Sequence, residues 1–193
     1  PLLQYLVETV QDLHPHSIYV VYGNGGGKVP SCLGHLPVEW VKQTELLGTG
    51  HAVAKALPKI KQDASRVLIL LGDTPLVSLS TLKKLIQSTQ EQQIGLITLT
   101  TQQPFGLGRI LRDKQGKVVQ IVEEKEASSA QKKIKEVNSG IFYVPIKLLK
   151  HWLPKIKKVN AQGEYYLTDI IAMAVDEKIE VITVSSDIEG EMQ

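Results

Sequence analysis

A chain of 193 residues with a formal net charge of +2, 42% hydrophobic and 22% charged residues has the make-up of one ordinary globular domain, long enough to bury a substantial core. Its single cysteine, Cys32, excludes a disulfide framework or a cysteine zinc site within the chain and fits a reducing, cytoplasmic setting. The lysine clusters at Lys132, Lys133 and Lys135 and at Lys155, Lys157 and Lys158 read as solvated faces and not as a nucleic-acid surface, and no apolar run reaches bilayer-spanning length or signal-peptide form, so a soluble protein is expected.

The chain opens in a helix. Leu2, Leu3, Leu6, Val7, Val10 and Leu13 recur at helical spacing, and His14-Pro15 ends the pattern. Residues 17–22 (SIYVVY) read as a buried strand, followed by a glycine-rich loop and a second strand at 38–43 (VEWVKQ). Gly48-Thr49-Gly50 leads into a helix with Val53, Ala54, Leu57 and Ile60 on one face. Residues 67–71 (VLILL) form the most apolar strand, read as buried, and run straight into Gly72-Asp73-Thr74-Pro75. A helix carrying Leu82, Leu85 and Ile86 and a strand at 94–100 come next. Strands alternating with helices in this way predict a parallel sheet with helices on both faces. The pattern then changes: 108–112 and 117–123 read as a hairpin around 113–116. A strand at 137–144, helices at 146–153 and 166–176, and a last strand at 179–184 complete the chain.

Asp73 is the best single candidate for chemistry. Ligands of open α/β sheets bind outside the carboxyl ends of the strands, which is where Asp73 falls. A carboxylate there either holds Mg²⁺ against substrate phosphates or merely orders the turn before Pro75. Gln43 with Gly48-Thr49-Gly50 is the second candidate. Glycines permit close backbone approach, a helix start offers free N–H groups, and a glutamine amide can read a nucleobase edge by donating to one atom and accepting from its neighbour. The alternative is a tight turn with Thr49 as a helix cap. Residues 23–28 (GNGGGK) look like a phosphate loop, but Val29 follows Lys28 where Ser or Thr is required, the glycine spacing is short, and Pro30 argues against an immediate helix; a surface turn is the better reading. Glu123 and Asn138 suit sugar hydroxyls or structural hydrogen bonds, and Tyr165 to Asp169 supply caps or substrate contacts at a helix start. Cys32 lacks His and acid partners for a thiol nucleophile, and His51 reads as a first-turn helix residue rather than a general base.

Together the runs QTELLGTGHA from Gln43, LLGDTPL from Leu70, GLGRI from Gly106, IVEEKEA from Ile121, VNSGIF from Val137 and, most specifically, NAQGEYYLTDIIAMA from Asn160 resemble one family. It is the uridyltransferase domain of bifunctional bacterial N-acetylglucosamine-1-phosphate uridyltransferase/glucosamine-1-phosphate N-acetyltransferase. The resemblance implies a Rossmann-like nucleotide-diphospho-sugar transferase fold, α/β, with a mixed, mostly parallel sheet and helices on both faces. It implies that UTP and N-acetylglucosamine 1-phosphate are joined to UDP-N-acetylglucosamine with release of pyrophosphate, in the cytoplasm, for peptidoglycan and lipopolysaccharide precursors and so for cell wall and cell shape. By resemblance, Gln43, Gly48 and Thr49 recognise uracil, Asp73 binds Mg²⁺ with Gly72 near the ribose, and Gly108, Glu123, Asn138, Tyr166 and Thr168 form the N-acetylglucosamine pocket. The hairpin at 108–123, where the pattern along the chain changes, reads as a lid on the nucleotide-binding layer and not as a separate domain.

Three departures qualify the resemblance. The family's opening strand and phosphate loop should precede Pro1, so residues 1–193 are expected to be a uridyltransferase domain lacking both, with a bare sheet edge and very low activity as this fragment. The family's second metal-binding asparagine falls at Met192, after Glu189-Gly190. No hexapeptide β-helix repeats occur in these residues, so the acetyltransferase half, through which the resemblance implies a homotrimer of the full-length family member, is not expected within residues 1–193. The contrasting expectation is a non-catalytic sugar-nucleotide-binding module that keeps the base and sugar contacts without the phosphate loop.

Overall fold

The computed structural model describes residues 1–23, 27–74 and 77–186. In chain order the elements are α1 (Leu2–Gln11), β1 (Tyr19–Tyr22), α2 (Lys28–Leu33), β2 (Glu39–Lys42), α3 (Thr49–Ala56), β3 (Arg66–Ile69), α4 (Leu79–Ser88), β4 (Ile94–Thr100), β5 (Arg109–Arg112), β6 (Val118–Val122), β7 (Glu136–Pro145), α5 (Ile146–Trp152), α6 (Asp169–Asp176) and β8 (Val181–Ser185).

The main sheet runs β6-β5-β7-β4-β8, with β3 also paired to β7. Both β3 and β4 are antiparallel to β7, β5 is antiparallel to β7 and to β6, and β8 is parallel to β4. So β3, β4, β5 and β8 share one direction and β6 and β7 oppose it: the sheet is mixed, as expected, with four of its six strands running the same way, although β4–β8 is its only parallel pairing among the described residues. A second, two-stranded sheet pairs β1 with β2 in parallel.

Strand alternation distributes the core between the two faces of the sheet. Leu96, Phe142 and Val144 point to one face, where Leu149 and Trp152 of α5 and Ile170 and Ile171 of α6 cover them. Their neighbours Ile97 and Ile141 point to the other face, against Leu6 of α1 and Leu82 and Leu85 of α4. Ser78 starts α4 by accepting a hydrogen bond from the Thr81 N–H at 3.1 Å, leaving the leucine stripe facing inward. A third cluster, Val7, Leu33 and Leu36, joins α1 and α2 to the small sheet.

Three expectations are corrected here. The stretch 67–71 is not the most buried strand: β3 is half-buried along its length, because among the described residues it pairs only with β7. Its other side, together with β1, lines an apolar cavity of about 810 Å³. Helix α2 follows the glycine-rich stretch directly despite Pro30, which sits in the first turn where an N–H has no helical partner to lose. The hairpin β5–β6 is not a lid laid over the sheet; it extends it through β7, and Ile110, Val118 and Ile121 belong to the main core.

Candidate functional site

Gln43 lies one residue past β2 and continues the small sheet, its N–H donating to the Tyr22 carbonyl at 2.8 Å. Its side chain is buried, with Nε2 3.2 Å from the Gly48 carbonyl oxygen and 2.9 Å from Nδ1 of His51. A carbonyl can only accept, so the amide nitrogen must be the atom facing Gly48. With its second hydrogen on His51, the amide has no donor left. Gln43 therefore presents only the acceptor Oε1, which takes no hydrogen bond from the described residues, rather than the donor–acceptor pair expected from its type.

Gly48 has φ +95° and ψ 176°, a conformation open to almost no other residue, and a Cβ there would lie 2.8 Å from the Tyr165 carbonyl oxygen. Two backbone bonds explain the close approach: Tyr165 N–H to Leu47 O and Gly50 N–H to Tyr165 O, both 2.8 Å. Thr49 is not the cap of α3. Gly48 takes that position, and the Thr49 hydroxyl accepts from the Leu167 N–H at 3.2 Å. The glycines of this loop are thus accounted for by the 165–167 segment packed against them.

That segment carries the sugar-side candidates. Thr168 precedes α6 without capping it; its Oγ1 donates instead to Glu123 Oε1 at 2.8 Å. Gly108 lies beside the same carboxylate, since a Cβ on it would sit 3.4 Å from Glu123 Oε2. The Gly108 carbonyl accepts from the Asn138 N–H at 2.8 Å, and Asn138 Oδ1 accepts from the Gly140 N–H at 2.9 Å within β7. The Tyr166 ring is buried and its hydroxyl donates to Gln162 Oε1 at 2.7 Å; burial first, then the nearby Glu123 and other carboxylates, push its pKa up to about 12.

Gly72 and Asp73 form the exposed turn after β3. Thr74 orders this turn by donating both its N–H and its hydroxyl to the Leu71 carbonyl, at 3.3 and 2.9 Å. The Asp73 carboxylate is therefore not spent on the turn, and it pairs with none of the described residues. Leu71 packs on Gly140, where a Cβ would be 2.3 Å from Leu71 Cδ1, and so brings this turn to the Asn138 end of β7. Among the described residues no three acidic, His or Cys side chains gather as a metal-binding group. A lone free carboxylate still fits Mg²⁺, which takes few protein oxygens and completes its shell with phosphate and water.

All nine expected substrate residues are joined by contact or sequence adjacency in one arc: Gln43, Gly48, Thr49, then Tyr166 and Thr168, then Glu123, Gly108 and Asn138, and through Gly140 and Leu71 to Gly72, with Asp73 next in sequence as the metal candidate. Two further residues of this arc were given no definite site role by the sequence reading. His51, read as a first-turn helix residue, holds the Gln43 amide, and Asp169, read as a cap or a substrate contact, has its carboxyl pKa raised by burial and by Glu123. Their sequence context, a His in a helix start and an Asp at a helix start, carries no signal that distinguishes them from ordinary surface residues. Cys32 is exposed on α2. Met192, Pro75 and the residues 24–26 of the glycine-rich stretch lie outside the described residues.

Residues 1–176 match the family model described as the MobA-like NTP transferase domain. The chain is 46% identical to the "Bifunctional protein GlmU" of Legionella pneumophila (strain Philadelphia 1), an alignment covering 100% of this chain and 43% of that protein. It is 49% identical to the protein of the same name from Coxiella burnetii (strain CbuK_Q154) over 92% of this chain and 39% of that protein. The chain thus spans about two fifths of the length of these relatives.

Proposed function

The chain belongs to the MobA-like NTP transferase domain family, and from that premise we propose that it is the uridylyl-transferring part of an enzyme that forms UDP-N-acetylglucosamine and pyrophosphate from UTP and N-acetylglucosamine 1-phosphate. The observation that carries this reading is the continuous arc from Gln43 to Glu123. Along it an amide of the kind suited to a nucleobase edge and a carboxylate suited to sugar hydroxyls lie on residues linked by hydrogen bonds, which supports a nucleotide-sugar site.

In this reading a phosphate oxygen of the sugar phosphate attacks the α-phosphorus of UTP, a P–O bond forms there, and the bond to the β-phosphate breaks to release pyrophosphate. No protein nucleophile is needed, and catalysis is alignment plus stabilisation of charge. Gln43 and the Gly48-Thr49 turn hold the base. Glu123, with Asn138 and the Gly108 backbone, holds sugar hydroxyls, and the Thr168–Glu123 bond keeps the carboxylate oriented. Asp73 would hold Mg²⁺, which when bound supplies Lewis-acid polarisation of the phosphates. Supply of cell-wall and lipopolysaccharide precursors in the cytoplasm, and trimeric assembly of the longer protein, belong to the same proposal.

The test is release of pyrophosphate from UTP and N-acetylglucosamine 1-phosphate with and without Mg²⁺, in the longest form of the protein that carries this chain. Turnover should need Mg²⁺, and Asp73→Asn should reduce it at least about a hundredfold while leaving the unfolding transition unchanged, the scale on which one pre-arranged electrostatic contact to developing charge acts. Near-normal turnover in that variant would remove Asp73 from the metal site. Binding of UDP-N-acetylglucosamine without any turnover would favour the non-catalytic binding module.

A further inference from the structure

We infer that His51 is a positioning residue that makes this site select uracil over cytosine, by keeping both hydrogens of the Gln43 amide away from the base. The inference rests on the uridylyl-transfer reading above and adds to it the residue that sets base choice.

The Gln43 amide has two fixed partners. The Gly48 carbonyl oxygen at 3.2 Å takes one N–H, and His51 Nδ1 at 2.9 Å takes the other. For Nδ1 to accept, the imidazole must carry its proton on Nε2. Packing holds the ring in place. His51 is in the first turn of α3 and lies nearly parallel to Tyr165, with ring centroids 6.2 Å apart and planes 26° apart. Tyr165 is itself locked to the loop by its hydrogen bonds to Leu47 and Gly50. Rotating the amide by half a turn would set Oε1 against the Gly48 carbonyl oxygen, so that orientation is disfavoured as well.

What remains for a ligand is an acceptor, Oε1, on a side chain whose amide nitrogen is bonded to Gly48 at the α3 start, and the next residue, Thr49, has an N–H with no acceptor among the described residues. Uracil offers the complementary edge, an O4 acceptor next to an N3–H donor. Cytosine offers the reverse, a 4-amino donor next to an N3 acceptor, and so meets donor with donor and acceptor with acceptor. Sites that leave polar groups mismatched on burial discriminate strongly. Without His51 the second amide hydrogen is freed and can turn to cytosine N3.

The experiment measures binding of UTP and of CTP, each with Mg²⁺, to the protein and its variants by calorimetry or ligand-observed NMR. The unsubstituted protein should prefer UTP. His51→Leu should narrow the UTP-over-CTP ratio about tenfold, the scale of one neutral hydrogen bond. His51→Asn, whose carboxamide oxygen can stand where Nδ1 does, should restore the preference. In a Gln43→Met background, His51→Leu should leave the ratio unchanged, because the group it positions is gone. A merely structural His51 predicts that His51→Leu weakens both nucleotides alike with the ratio intact; that result overturns the inference and leaves the uridylyl reading standing. Equal affinity for UTP and CTP in the unsubstituted protein, or none for either, overturns the uridylyl reading and the inference with it.

Discussion

Gly48 shows how one residue couples stability to the site. Its backbone lies where L side chains pay about 1–3 kcal/mol, and a methyl group would in addition be forced to 2.8 Å from the Tyr165 carbonyl oxygen. Gly48→Ala should therefore lower unfolding stability by at least that strain, read as a fall in the urea midpoint with an unchanged slope. It should also weaken nucleotide binding, because the Gly48 carbonyl is one of the two groups that hold Gln43. A variant as stable as the parent would show that the loop can shift away from the 165–167 segment without cost. The residue types at this site were legible in the sequence, since an amide, a glycine turn and a strand-end carboxylate each announce the chemistry they suit. Their partners were not. The Thr49–Leu167 bond spans 118 positions and the Thr168–Glu123 bond spans 45, and local spacing carries no information about which hydroxyl meets which acceptor at such separations. That is why Thr49 and the Thr168 region read equally well as helix caps.

Among the elements, β5 and β7 are tied by more than their ladder. Arg112 of β5 grips Glu136 of β7 with Nε at 2.7 Å and Nη2 at 2.5 Å, and its remaining donors reach the Gly116 carbonyl at 2.8 Å and Thr183 Oγ1 of β8 at 3.0 Å. The guanidinium hydrogen bonds hold the Glu136 carboxyl below its ordinary range against the opposing effect of burial, and the Arg112 pKa is raised in turn. An acid whose pKa is depressed by folding adds stability above its unfolded pKa and loses it as pH falls through the folded value. Glu136→Gln should thus be less stable than the parent at neutral pH, by about 1 kcal/mol or less for a pair this exposed. The gap should close on acidification through the carboxylate range, as followed by thermal unfolding at a series of pH values. A gap independent of pH would mean that the charge contributes nothing. Hydrophobic periodicity located α1, α4, β4 and β7 because each buries one face or both, and period alone reports that. It misjudged β3, since apolarity records which strand wants cover and not whether a neighbour supplies it on both edges. It missed α2 because a six-residue helix is too short to show a period.

Across the whole molecule the two sheets differ in how firmly they are held. The main sheet has a helix layer on each face, with Ile94, Leu96, Ile97, Ile141 and Val144 wholly excluded from solvent. The small sheet has two strands of four residues, and a two-stranded ribbon is marginal without cover. Its cover is the modest cluster under α1 and α2, while β1 on its other side lines the cavity of about 810 Å³ shared with β3. Few apolar contacts across that space bind the small sheet to the large one, so β1–β2 should open before the molecule unfolds as a whole. Native-state hydrogen exchange makes this measurable. The Glu39 and Gln43 amides, bonded at 2.8 Å to the Ile18 and Tyr22 carbonyls, should exchange through an opening less costly than global unfolding, whereas the paired amides of β4 and β7 should exchange only at the global limit. Because Gln43 closes that ribbon and also starts the arc of candidate substrate residues, a bound uridine nucleotide should slow exchange at Gln43 more than at Leu96. Equal protection of the two sheets without ligand would mean that the cavity does not weaken their coupling, and the small sheet would then be as rigid a platform for the base as the large one is for the sugar.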